Sequence, residues 1–126
     1  MIETKNFNPE TDVKLLCTCG HADCDKRSVD QDTLNRAQVG REILGHGLSV
    51  TSGGRCPNHP DEVHRTTPAD HQKQKSIDVS VNGATRGNVV AAGIAAGFNA
   101  IGVAKTFVHW GYRPELSKGH ITMWVY

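Results

Sequence analysis

The stretch "ADHQKQKSIDVSV", residues 69–81, decides the fold. Ile77, Val79 and Val81 alternate with Asp78 and Ser80, the period-two pattern of a half-buried strand over 77–81. Yet the strand opens with a carboxylate at Asp78, seven residues after His71, and the residues between are mostly polar or lysine. A strand that only packs needs neither Asp78 nor His71, whereas a metal site needs both.

Upstream, "SVDQDTLNRAQVGREILGHG" (28–47) reads as a helix capped by Ser28 or Asp30. Leu34, Ala37 and Leu44 line one of its faces, and Gly45 or Gly47 ends it. "LSVTSG" (48–53) is a short strand running into a Gly-Gly turn. The following "RCPNHPDEVHRTTPAD" holds three prolines and two histidines and reads as a loop. Downstream, "TRGNVVAAGIAAGF" (85–98) is a second helix, thin enough through its glycines and alanines to lie close to a sheet. Three short strands follow in "AIGVA", "FVHW" and "ITMWVY", while residues 1–27 read as irregular. Two main helices on a small, mostly antiparallel sheet make an α+β fold, expected as one domain over 1–126.

The rest of the composition excludes several classes. Lys plus Arg is 14 against 13 for Asp plus Glu, a net charge of +1 with no long like-charge block, so no nucleic-acid partner is expected. The N-terminus lacks a basic head followed by an apolar run, and the richest apolar stretch, "NVVAAGIAAGF", is 11 residues long. No membrane partner is expected, and a cytoplasmic protein is. Cys17, Cys19 and Cys24 crowd into "CTCGHADC", with Cys56 in "RCP". The C-x-C-x4-C spacing favours plain thiols or one disulfide over a structural zinc on the four cysteines. A zinc module for nucleic acid runs against the near-neutral charge.

A catalytic zinc takes three protein ligands and keeps a fourth position open. His71 and Asp78 supply two, and "FVHW" offers a third, because His109 shares a strand face with Phe107 while Val108 and Trp110 share the other. Each histidine taken alone reads as a satisfied core or surface residue, and it is their conjunction with Asp78 that points to a metal.

The order "SGGRCPNHP", "ADHQKQKSID", "IGVAKTFVHWGYR" and "MWVY" resembles the zinc peptidases of the D-alanyl-D-alanine carboxypeptidase family. That family includes phage L-alanyl-D-glutamate endolysins and shares its fold with the Hedgehog signalling domain. Its pattern runs Ser-Gly-Tyr-Arg, then Ser-x-His-x-x-Gly-x-Ala-x-Asp, then a late strand carrying His. The resemblance covers nearly the whole chain, "CTCG" included, and fits the small single-domain branch. It implies Zn2+ held by His71, Asp78 and His109, with Arg55 binding a substrate carboxylate or carbonyl. His120, in "KGHITMWVY", is an alternative third ligand, and "FVH" followed by an Arg fits the small branch better.

Several positions depart from that pattern. Gly54, Ala69, Gln74 and Ser76 stand where the family has Tyr, Ser, Gly and Ala. The general base stands as Asp or Glu three residues before the last His in larger members, and as the second residue after it in the small branch. Here those positions are Thr106 and Gly111. Asp70 is the expected replacement, with Glu115, His120, His59 and His64 as further candidates. Trp110, Trp124 and Tyr126 are expected to wall the groove or core. The resemblance implies a monomeric peptidase acting on a peptidoglycan stem peptide, of endolysin or DD-carboxypeptidase type. A phage enzyme of this type would be made in the host cytoplasm and act on the cell wall after release. The alternative is a catalytically silent zinc-binding module that binds cell-wall peptide or serves a structural role in a virion.

Overall fold

The computed structural model describes residues 2–126. Helix α1 spans Gln31–Leu44. Of the two predicted caps it is Asp30 that serves: its carboxylate accepts the Thr33 N–H at 2.8 Å, while the Ser28 hydroxyl donates to the Val29 carbonyl. Gly45, at φ 75°, closes the helix by donating its N–H to the Arg41 carbonyl. Helix α2 spans Arg86–Ala95. Its entry is organised from outside, by the Asn82 side-chain oxygen accepting the Ala84 and Thr85 N–H groups.

Five strands follow the predicted positions: β1 Val50–Ser52, β2 Ser76–Ser80, β3 Ala100–Val103, β4 Phe107–Gly111 and β5 Thr122–Val125. They form one sheet in the order β1-β2-β4-β3-β5. The three pairings among β1 to β4 are antiparallel, and β5 joins β3 in parallel at the edge. Val81, expected inside β2, lies just past it, where its N–H reaches the Thr106 carbonyl.

The alternation read from residues 77–81 divides the sheet into two faces. Ile77 and Val79 of β2, Ile101 of β3, and Val108 and Trp110 of β4 belong to the core, with Leu34 and Ala37 of α1 and Val89 and Ala92 of α2. Trp110 explains why the helices carry glycine at the contact. A Cβ on Gly40 would lie 2.7 Å from its ring, and one on Gly93 would lie 2.2 Å from its Nε1. The buried indole N–H donates to the Val89 carbonyl at 3.0 Å, so the large ring is packed and satisfied. The N-terminal segment is irregular except for a 3-10 turn at Val13–Leu15, and it sends Phe7, Leu15 and Val29 into the same core.

The opposite face carries one row across all five strands. Ser52 pairs with Asp78, Asp78 with His109, His109 with Gly102, and Gly102 with Trp124. A cleft of about 550 Å³ opens above it. No helix among the described residues is long and apolar enough to cross a membrane.

Candidate active site

His71 precedes β2, on a turn in which Lys73, Gln74 and Lys75 donate to the carbonyls of Ala69, His71 and Asp70. Gln74 closes this turn with φ 65°, a left-handed conformation that suits glycine, and it stands where the resembled pattern has Gly. The His71 Nδ1 donates to the Gly53 carbonyl at 2.7 Å, which fixes the tautomer and leaves Nε2 to accept. That Nε2 lies 3.3 Å from Asp78 Oδ1, and His109 Nδ1 approaches the same oxygen at 3.1 Å. All three side chains are buried, and one donor atom of each lies within 4.8 Å of the others. A tetrahedral zinc with bonds of 2.0–2.1 Å sets neighbouring donors about 3.3 Å apart, so the spacing and the His/Asp/His chemistry fit that ion.

The far side of His109 is held by Asp70. His109 Nε2 donates to Asp70 Oδ2 at 2.9 Å, and Arg113 Nε donates to Asp70 Oδ1 at 2.9 Å. Burial would push the Asp70 carboxyl up, but the His109 and Arg113 hydrogen bonds outweigh it and leave it at about 2. Burial opposes ionisation of Asp78 too, yet His109 and His71 bring its carboxyl well below the usual carboxylate range. Burial would push His109 down, and its bonds to Asp70 and Asp78 raise it. Without an ion, the imidazole is thus held between two carboxylates.

Gly111 makes Asp70's position available. A Cβ there would come within 2.8 Å of His109 Nε2 and 2.9 Å of Asp70 Oδ2. The space that a side chain two residues after His109 would use is filled from the loop instead. Thr106, the other position expected to carry a carboxylate, is exposed in the turn between β3 and β4.

Arg55 is not a solvated loop residue. Its Nε donates to Ser52 Oγ at 3.2 Å, and its two terminal nitrogens lie 3.6 Å from Glu62 Oε2 and from Asp78 Oδ2. The Gly54 before it has no room for the family's tyrosine, because a Cβ would sit 2.2 Å from the Arg27 carbonyl oxygen. Trp124 reaches the cleft because Gly102 has no side chain, and its ring centroid lies 5.2 Å from that of His109. Tyr126 also lines the cleft, while Trp110 belongs wholly to the core.

Among the other proton-acceptor candidates, His64 lines the cleft rim, while Glu115 is exposed and away from the cleft. His59 sits on the loop, half-buried, 3.9 Å from Asp61. His120 lies in a separate depression beside Ile94 and Tyr112 and belongs to no donor cluster found among the described residues. One residue escaped the sequence reading. Glu62 is 2% exposed, lines the cleft, and leaves Oε1 without a hydrogen-bond partner. Nothing local marks it within a loop of mixed charges, and only the fold turns it inward.

A family model described as Peptidase M15 matches residues 5–110. The chain belongs to the M15 peptidase family. The match takes in both helices, β1 to β3 and all three donors of the cluster, and it ends at Trp110, before β5 begins. No curated protein and no solved structure matches this M15 chain.

Proposed function

We propose that the chain is a zinc-dependent peptidase that hydrolyses an amide bond in peptidoglycan stem peptides, of the endolysin or DD-carboxypeptidase type. The observation that carries this reading is the buried His71/Asp78/His109 cluster at the floor of an arginine-bearing cleft. Zinc held there supplies Lewis acidity, polarising a carbonyl oxygen and acidifying water. The chain's own groups do the rest. Arg55, oriented by Ser52, offers its fork to a substrate carboxylate or to the oxygen on which charge develops. Trp124 and Tyr126 give the cleft an aromatic wall. Three arginines and four carboxylates line the cleft, so an added dication tips its balance positive, as an anionic peptide requires.

Proton transfer needs a carboxylate that is not already committed. Asp78 faces the donor cluster, Asp70 shares both oxygens with His109 and Arg113, and the Asp61 side chain stands 65% exposed at the rim. Glu62 gives Oε2 to Arg65 at 3.3 Å and to Arg55 at 3.6 Å, but of the cleft carboxylates it alone keeps a buried oxygen free, Oε1, and we assign that oxygen the proton. Asp70 then acts as a positioning residue for His109. Glu62→Gln is expected to lower kcat by about 10²–10⁴ with zinc content unchanged.

The test is digestion of purified sacculi with and without a zinc chelator, with mass spectrometry of the fragments. Chelator-sensitive release of new amino termini is expected, and the fragments name the bond. Intact sacculi beside a zinc-loaded protein would favour the second reading, a silent module that binds wall peptide. That reading draws on Thr106 and Gly111, since β4 and the turn before it bring no carboxylate to the cleft.

A further inference from the structure

Four cysteines meet on the side of the molecule where the N-terminal segment lies against the loop that begins at Gly53. Cys17, Cys19 and Cys24 come from the irregular segment and Cys56 from the residue after Arg55. Their four sulfurs all lie within 4.8 Å of one another, and Cys19 Sγ stands 3.6 Å from Cys56 Sγ. That separation is far beyond the ~2.05 Å of a disulfide. It is close to the ~3.8 Å that tetrahedral Zn–S bonds of about 2.3 Å impose on neighbouring sulfurs. Every one of the four is a free thiol.

The backbone around them is shaped for sulfur ligands. Lys26, at φ 53°, donates its N–H to Cys24 Sγ at 3.4 Å, and Gly20 turns the chain between Cys19 and Cys24 at φ 77°. Cys17 N–H donates to the Arg27 carbonyl at 2.9 Å, and Cys24 N–H to the His21 carbonyl at 3.0 Å, so the knuckle closes on itself. Cys17 and Cys56 are buried, with Cys19 and Cys24 half-covered. Four thiols gathered from two distant segments exceed what packing requires of a small hydrophobe.

We propose that Cys17, Cys19, Cys24 and Cys56 form a second, structural zinc site, a closed four-thiolate centre distinct from the His71/Asp78/His109 cleft. Its four sulfurs leave no position open for substrate, so its role is mechanical. Gly53 and Gly54 show where it acts. A Cβ on Gly53 would lie 2.5 Å from the Leu15 carbonyl oxygen, and one on Gly54 would lie closer still to the Arg27 carbonyl oxygen, at 2.2 Å. The ion clamps the N-terminal segment to this bare stretch of chain and so fixes the base of Arg55. The four free thiols agree with the expectation of plain thiols and not with a disulfide, and the zinc reading goes beyond it because Cys56 arrives 37 residues from Cys19.

Metal analysis of the full chain, purified under reducing conditions with zinc, tests the site independently of catalysis. About two zinc equivalents are expected per chain, falling to about one in Cys19→Ser and to about one in the double variant His71→Ala/His109→Ala. X-ray absorption on that double variant should show four sulfurs at about 2.3 Å and no nitrogen shell. Should Cys19→Ser fail to fold, cobalt loading of the unaltered chain decides, through thiolate-to-cobalt charge-transfer bands. Absence of those bands, a nitrogen or oxygen shell in the double variant, or disulfides in place of titratable thiols would overturn the proposal. A chain that keeps its sulfur-bound zinc but loses none on His71 and His109 substitution would instead count against the cleft reading alone.

Discussion

His109 is a ligand candidate whose orientation depends on a residue from another part of the chain. Asp70 grips its Nε2 so that Nδ1 faces Asp78. Removing a carboxylate behind a metal-binding imidazole typically weakens metal affinity 10- to 100-fold. Asp70→Ala is therefore expected to raise the zinc dissociation constant by that factor in competition with a chelating dye. Gly111→Ala should weaken zinc binding as well, since a Cβ there meets His109 Nε2 at 2.8 Å and Asp70 Oδ2 at 2.9 Å. A Gly111→Ala variant that binds zinc as tightly as the unaltered chain would deny that the contact between His109 and Asp70 fills the space beside Gly111. Gln74 carries a different cost, a side chain at φ 65° in a turn whose carbonyl still serves Asp30 and Thr33. Gln74→Gly keeps that carbonyl and relieves the strain, so denaturant unfolding should show a gain of about 0.5–1 kcal/mol.

The elements show what local sequence does and does not carry. Asp30 and Gly45 bracket α1 because capping is a matter of a few adjacent residues, and period two marks β2 because alternation is local. The parallel edge pairing of β5 and the burial of Glu62 depend on where distant segments meet, and no spacing in the chain encodes that. Asp30 also ties α1 to the strand it precedes in space, through its ion pair with Lys75. Burial opposes ionisation of Asp30, but Lys75 and Thr33 more than offset this and lower its pKa. A carboxyl lowered in the fold contributes stability that is complete above its unfolded value of about 3.9 and drains away as pH falls through the folded one. Asp30→Ala should cost about 1–2 kcal/mol at neutral pH, with the gap to the unaltered chain narrowing below about pH 4. A gap that stays constant down to about pH 2.5 in chemical unfolding would refute the ionic part.

Across the whole molecule, the α+β class was legible from alternation and helical periodicity, which also set the faces of Asp78 and His109, while the resemblance was what joined His71 to them. The four-cysteine cluster was not legible, since its closure needs the approach of backbone to Gly53 and Gly54. Neither were the partners of Asp70, because Gly111 reads as a loss until its empty space is seen to be occupied. Ions that bind the folded chain alone stabilise it by mass action, about 2.7 kcal/mol at a hundredfold excess over the dissociation constant. A chelator should accordingly lower Tm by roughly 10 °C in a thermal scan, and zinc should restore it.

The two faces of the sheet also set how freely a lineage of such proteins can diverge. Every strand lends one residue to the row from Ser52 to Trp124, while its neighbours Ile77, Val79, Ile101, Val108 and Trp110 hold the helices. Changes in the row alter what the cleft accepts without opening a cavity in the core, so specificity can drift while the scaffold is kept by its own packing. Gly111 and Asp70 lie together at His109, so the carboxylate that holds this histidine comes from a loop and the strand itself stays bare there.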